Sequence, residues 1–147
     1  MSETVREFIG VKNVTFTPDG GDPIAFPIQD EDGVEHASIV DDIRHGSASG
    51  KYVNFVHTTR IVDEVTVRTK DFAVLDDPGL AVGTLGTLAW TLIGCGLADG
   101  SDKTCSAPAK VVSRVPWSAT DGASAAQGEV AFLLLSPDGT SDPLTVS

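Results

Sequence analysis

The sequence predicts a mainly β protein, an antiparallel sandwich or barrel with one short flanking helix and a long loop after the first hairpin. Val, Thr and Gly are frequent, and the composition bias of helical chains is weak. Apolar and polar residues alternate in short stretches that Gly, Pro and Asp clusters separate. With 147 residues and 41% hydrophobic content, the chain is long enough for one domain, residues 1–147, with a buried core.

The chain opens with a predicted N-terminal arm and a first hairpin. Residues 1–9 are assigned to the arm because the start of the chain is polar, and such a segment is either frayed or used in assembly. Over 10–17, Val14 and Phe16 alternate with polar residues, which predicts a half-buried strand. After a Pro-Asp-Gly-Gly turn, 23–27 is predicted to return as a short edge strand, since its prolines do not suit a central strand.

Residues 29–50 are predicted to form a long loop with little regular structure. The segment is acidic on both sides of a small apolar island, Ile39, Val40 and Ile43, and it closes on a Gly-Ser-Ala-Ser-Gly run. Loops of this length in a compact domain are usually functional or disordered. The apolar island argues against a solvated linker. A loop that becomes ordered against a neighbour would explain it.

Residues 51–69 form the longest β-like stretch, with Ile61, Val65 and Val67 on one face and Arg60 among the polar residues opposite. A continuous strand would span roughly 60 Å, far beyond the usual strand of about five or six residues. Two interpretations stay open: a bulge or turn breaks the strand near 58–63, or the strand projects as part of an extended hairpin.

The rest of the chain is predicted to hold a short helix and three more strands. The helix covers 70–77, with Thr69 as its cap and Pro-Gly at its end. Trp90 and Trp117 lie on apolar strand faces, which predicts that both pack in the core. The other segments are a strand at 84–94, a polar turn region at 96–108, a strand within 109–120, a turn at 121–127 and a final strand at 128–135 that a Ser-Pro-Asp-Gly turn follows.

The net charge of the chain argues against one class of partner, nucleic acids. With 10 basic and 21 acidic residues the formal net charge is −11, which argues against nucleic-acid binding by phosphate neutralisation. We see no secretory signal and no apolar run long enough to cross a membrane, so we expect no membrane binding. A disulfide between Cys95 and Cys105 is sterically possible, but a protein made in the cytoplasm keeps its thiols reduced, so two plain thiols are the favoured interpretation.

No pattern of catalytic residues is visible. His36, His45 and His57 are scattered, without a nucleophile or paired carboxylates at a recognisable spacing. The Gly-Ser-Ala-Ser-Gly run lacks the strand and helix of a nucleophile elbow, and the acidic residues do not match a calcium loop. We therefore expect no enzyme activity, no cofactor and no metal site.

Several phrases of the sequence carry a resemblance. A stretch ending in VTVRTKDF follows the long loop, a Pro-Gly turn leads into TLGTLAWTL, and the chain ends in VAFLLLSPDGTSDPL. Together with one acidic β-rich domain, these features resemble the major tail tube proteins of long-tailed, siphophage-like bacteriophages. The similarity covers most of 11–144. It is a pattern of elements and short phrases, without a catalytic signature.

The resemblance implies a structural virion protein of the phage tail, assembled in the host cytoplasm. Its subunits would form homohexameric rings that stack into a tube, with a tape-measure protein and other tail proteins as partners. DNA would pass through the lumen without specific binding. The resemblance also places the long loop against the adjacent ring, through Ile39, Val40, Asp41, Asp42, Ile43 and Arg44.

Two other classes stay open. One is another virion component, such as a capsid decoration protein, a tail terminator or a connector. The other is a small-ligand-binding β-barrel, which would need a concave pocket with convergent polar groups.

Overall fold

A computed structural model describes residues 8–28, 32–45, 55–94, 102–119 and 126–146. These ranges form one antiparallel sheet, a short α-helix and a 3-10 turn. The elements are β1 Phe8–Pro18, β2 Ile24–Phe26, β3 Gly33–His45, β4 Phe55–Thr69, α1 Phe72–Leu75, the 3-10 turn Pro78–Leu80, β5 Leu85–Gly94, β6 Lys103–Ser118, β7 Gln127–Leu134 and β8 Thr145–Val146.

The sheet has the strand order β2-β1-β5-β6-β7-β4-β3, and β8 pairs with β6. It curls so strongly that Phe16 of β1 packs on Phe132 of β7, with ring centroids 4.9 Å apart, although β5 and β6 lie between these strands. The curl also brings the end of β4 close to the segment after β2, and we call this place the seam. There the Thr69 hydroxyl donates to the carbonyl oxygen of Pro27 at 2.8 Å. The mainly β, antiparallel prediction is confirmed, and the sheet is not closed into a barrel.

The core fills the concave side of the curled sheet. Buried residues alternate along β4 and β7, as the period of two requires. Phe26 meets Phe132 edge to face at 6.4 Å, so the ring on β7 contacts both strands at one end of the sheet, β1 and β2. Each such side chain contributes about 1.5–3 kcal/mol by leaving water. The largest fully buried side chains are Phe16, Phe132, Leu75, Leu80, Leu88, Val14, Val65, Val67, Val111, Val130 and Thr69.

The predicted core role is confirmed for Trp90 and wrong for Trp117. Trp90 is buried on β5, whereas Trp117 is 65% exposed. The pairing of β6 with β7 shifts register between Val115 and Ser118, so Trp117 lies near the end of the strand where the regular ladder has stopped.

Two predicted loops contain strands. The loop at 29–50 is wrong over Gly33–His45, which pairs with β4 along its whole length. His36 and Ser38 lie on its concave side, where a strand usually has apolar residues. Because these two are polar, the sequence of β3 does not show the alternation of apolar and polar residues that marks a strand. The turn region at 96–108 is wrong from Lys103, where β6 begins. Residues 29–31, 46–54 and 95–101, which include Cys95, lie outside the described residues.

The ends of the remaining elements differ slightly from the prediction. Asp71 caps α1, since its carboxylate accepts from the backbone N–H groups of Ala73 and Val74. The predicted cap, Thr69, is instead the last residue of β4. At the other end of the chain, β1 begins at Phe8, inside the predicted N-terminal arm, while residues 1–7 lie outside the described part.

The predicted Ser-Pro-Asp-Gly turn is built around Asp138. Its carboxylate accepts from the backbone N–H groups of Thr140 and Ser141 and from the hydroxyls of Ser136 and Ser141. The bonds from Ser141 contribute most to holding the pKa of Asp138 far below its usual range. Gly139 takes the positive φ of 81° that the turn residues predict. The turn ends β7 and sends the chain back to form β8 on β6.

We expect Gly128→Ala to destabilise the fold by about 1–3 kcal/mol, because the new methyl group has no space. A Cβ at Gly128 would lie 2.6 Å from the carbonyl oxygen of Val115 and 2.7 Å from that of Pro116. Urea denaturation measures the loss. Gly33→Ala is the matched control, since nothing lies within 4 Å of its Cβ position, and an equal loss in both variants would contradict the packing explanation.

Burial raises the pKa of the Cys105 thiol, so less thiolate is present at neutral pH. In a Cys95→Ser variant, we expect iodoacetamide to modify folded Cys105 at least about tenfold more slowly than the urea-unfolded chain at pH 8. The rate of the folded protein should increase as pH rises toward the raised pKa. Mass spectrometry of timed samples measures it, and equal rates in the folded and unfolded chain would contradict burial.

Candidate functional site: a projecting β-hairpin

The hairpin of β3 and β4 continues well beyond the point where β4 stops pairing with β7. The two strands pair from Gly33 with Arg68 up to His45 with Phe55. On its other side β4 pairs with β7 only from Thr69 to Glu64. Residues 39–45 and 55–62, called the arm below, therefore form a ribbon of two strands with no third strand among the described residues. The arm is about 23 Å long at about 3.3 Å per residue.

Apolar side chains are exposed on both faces of the arm. Ile61 is 70% exposed and Ile39 is 52% exposed. Ile39 pairs with Val62 while Ile61 pairs with Val40, so the two isoleucines lie on neighbouring rows and point to opposite faces. A ribbon of two strands is only marginally stable in water, and its unpaired edges can bind another strand. The arm therefore has the chemistry of a surface that gains stability from a partner.

The predicted contact residues, 39–44, lie in sequence on the β3 side of the arm. The prediction placed these residues in a loop, and this was wrong, because they belong to strand β3. Both interpretations of the stretch 51–69 hold in part, because β4 projects in an extended hairpin and also carries a bulge. Contact of 39–44 with another subunit stays a prediction.

The bulge lies within the arm, on β4. Asp41 pairs with Arg60 and the next residue, Asp42, pairs with Thr58, which leaves Thr59 as an extra residue. A bulge bends its strand and increases the local twist. The outer part of the arm therefore runs in a different direction from the part nearest the body.

A polar cluster lies where the arm leaves the body. Asp63 is only 9% exposed, on the same face as the core residues Val65 and Val67. One of its carboxylate oxygens, Oδ1, accepts from the Ser38 hydroxyl and lies 3.2 Å from Nε2 of His36. We call His36, Ser38 and Asp63 the root cluster. Sequence reasoning missed it because the partners are 25 and 27 residues apart and the segment was assigned to a loop.

The root cluster contains the residue types of a serine-hydrolase triad without its geometry. Nucleophilic catalysis needs the Ser hydroxyl to bond to the His ring, which removes its proton. Here Ser38 and His36 both contact the same oxygen of Asp63. The His36 ring also lies edge-on to Trp90, with centroids 6.5 Å apart. The arrangement can hold β3 on β4 and does not activate Ser38.

Charged groups also connect the strands at the base of the hairpin. On the convex face, Arg68 of β4 lies 3.7 Å from a carboxylate oxygen of Glu35 on β3 and 3.3 Å from one of Glu129 on β7. Just before β3, the side chain of Asp32 is fully buried. Its Oδ1 accepts a hydrogen bond from the Gln127 side-chain amide at 2.8 Å and lies 3.7 Å from Nζ of Lys70. These contacts fix the base of the hairpin to the body.

A second exposed apolar region lies at the other end of the same strands. Thr69 pairs with Gly128, and Gln127 pairs with Ser118, so α1 and the end of β6 lie opposite the arm along β4, β7 and β6. Phe72 and Trp117 are both exposed there. We call the region that carries these two residues the far end.

Comparisons with known proteins find no match to any protein-family model or to any curated protein. Within the described ranges, no group of three or more His, Cys, Asp or Glu residues is placed to hold a metal ion. No helix of the described chain is long and apolar enough to cross a membrane.

Proposed function

We propose that this chain is the structural subunit of a bacteriophage tail tube, forming homohexameric rings that stack into a hollow conduit for DNA. The observation that carries the proposal is the arm, which runs for about 23 Å past the last residue that β4 pairs with β7 and exposes apolar side chains on both faces. Such a surface is a hazard in a protein that acts alone, and a contact in one that polymerises. The phrases that resemble tail tube proteins support the same function.

The positions of the arm and the far end support stacking in one direction. They lie at opposite ends of β4, β7 and β6, and each exposes large apolar residues. When two different surfaces of identical subunits meet, the contact repeats without closing and gives a filament or tube. A stack of rings, each joined to the next by its arms, has this property.

The negative net charge supports a conduit through which DNA passes without binding to the wall. A net charge of −11 repels phosphate groups, and a lumen rich in Lys or Arg would bind them. In this proposal DNA passes without specific contact, no reaction is catalysed and no cofactor is used. The partners are further copies of the chain, a tape-measure protein and other tail proteins, and the location is the virion tail after assembly in the host cytoplasm.

The first test removes the arm without opening the body. Replacing residues 41–60 with Asn-Gly closes the hairpin at the paired residues Val40 and Ile61 with a turn that suits two antiparallel strands. We expect the wild-type chain to form rings or hollow tubes in negative-stain electron microscopy, and the shortened chain to keep its circular dichroism and form no stacks. Tubes from the shortened chain would contradict the role of the arm.

Light scattering distinguishes the alternatives. A tail terminator or connector that forms one ring would stop near the mass of that ring at every concentration. A ligand-binding barrel would stay a monomer or dimer. Either result for the wild-type chain, with no tubes in the microscope, would contradict the proposal.

The second test changes only the exposed isoleucines. We expect the double variant Ile39→Ser, Ile61→Ser to keep its stability within about 0.5 kcal/mol, since both side chains are on the surface. The concentration needed for polymerisation should rise at least about tenfold, because burying one such side chain contributes about 1.5–3 kcal/mol. Sedimentation measures the polymer fraction. Val82→Ser, equally exposed and off the arm, is the control, and an equal effect would contradict a specific contact.

A further inference from the structure

We infer that the root cluster and the bulge at Thr59 together fix the direction in which the arm points, and that assembly requires this direction as well as the arm itself. The first half concerns the single chain. The second half rests on the proposed function.

The root cluster lies on the line about which the arm would otherwise pivot. Glu64 is the last residue of β4 that pairs with β7, and from Asp63 onward the described part of the chain pairs β4 with β3 alone. Asp63 pairs directly with Ser38 across this line. The mechanical support of the hairpin therefore changes from two neighbouring strands to one at the cluster.

The hydrogen bonds of the root cluster are of a kind that can fix the angle between the arm and the body. A buried carboxylate is costly unless hydrogen bonds satisfy it, so its contacts with Ser38 and His36 are held closely. Both groups come from β3, while the carboxylate comes from β4. Hydrogen bonds to a charged group are directional, whereas apolar burial is not. A valine in place of Asp63 would fill the space without fixing the angle.

The cluster also connects the pivot line to the opposite side of the sheet. The His36 ring packs edge-on to Trp90 of β5, a strand that faces β3 across the concave side. Trp90 is itself buried in the core. Residues of three strands, β3, β4 and β5, therefore contact one another at the base of the arm.

The bulge sets the direction of the outer part of the arm. Thr59 is unpaired between the rows of Arg60 and Thr58, a few rows beyond the cluster. Because the described residues place no third strand beside this ribbon, the bend and twist of the bulge decide the direction of its outer part. The cluster fixes the base and the bulge aims the tip.

A distance measurement on the single chain tests the first half. Spin labels are placed at Arg44→Cys on the arm and Thr87→Cys on the exposed face of β5, in a full-length chain that also carries Cys95→Ser and Cys105→Ala. Pulsed electron-electron resonance then gives the distance distribution, at a concentration where light scattering shows a monomer.

We expect a narrow distribution for the parent chain. Asp63→Ala should broaden it at least about twofold, because the pivot loses its directional contacts. Deletion of Thr59 should keep it narrow and shift its mean by about 3 Å or more, the rise of one strand residue. Val65→Ala is the matched control, one inward position along β4 and fully buried, and it should lower stability without changing the width. An unchanged distribution in both Asp63→Ala and the deletion would overturn the inference.

The same variants without labels test the second half by sedimentation and electron microscopy. We expect Val65→Ala to polymerise, and Asp63→Ala and the Thr59 deletion to lose stacking while circular dichroism shows the β fold. If the distances behave as expected and the wild-type chain never polymerises, the proposed function fails and the arm's fixed direction stands. If wild-type and both direction variants polymerise equally, assembly does not depend on direction and the second half is overturned.

Discussion

The point at which β7 ends decides the shape of this protein. β7 follows β4 only as far as Glu64, because Leu134 is its last strand residue and the Asp138 turn follows directly. The chain then returns along β6 as β8 rather than continuing beside β4. Within the described ranges β4 and β3 then continue as a pair, and the exposed isoleucines and the polar root cluster lie where this two-stranded part begins.

The body and the arm are stabilised by different kinds of contact. In the body, the ring of Phe132 on β7 meets Phe16 on β1 and Phe26 on β2, so apolar packing holds the curled sheet together across its concave side. At the base of the arm, the contacts are polar and few, and Asp63 receives them. Apolar packing provides most of the stability and tolerates small movements. Polar contacts add less energy and select one geometry, which is what a projecting element needs.

The sequence predicts the elements whose inward positions are apolar. Alternation identified β1 through Val14 and Phe16, and β5 through Leu88 and Trp90, because hydrophobic side chains at every second position mark a buried face. It failed for β3, where His36 occupies an inward position.

The first half of β6 was missed for a different reason. Its inward residues, Cys105 and Ala107, are small, and Pro108 interrupts the pattern. Pro108 is tolerated because it lies between the β7 pairing at Ala109 and the β8 pairing at Ser106. Local alternation also cannot show where a sheet ends, and this is why Trp117 was assigned to the core.

The candidate site was partly visible in the sequence. The apolar island Ile39, Val40 and Ile43 within an acidic segment marked the arm, since isoleucine and valine have no use in a solvated linker. The root cluster was not visible, because Ser38 and Asp63 meet only once the register of the hairpin is set. Register depends on the whole pairing of two strands, and no short spacing in the sequence encodes it.

The seam of the curled sheet has a mechanical consequence. Among the described residues, the end of β4 and the segment just after β2 are joined there by the hydrogen bond from Thr69 to Pro27 rather than by a ladder. A sheet that is closed by side-chain packing can tighten or relax its curvature while its backbone hydrogen bonds stay intact. Because His36 of the hairpin packs on Trp90 across the concave side, such a change in curvature would reach the base of the hairpin through this contact.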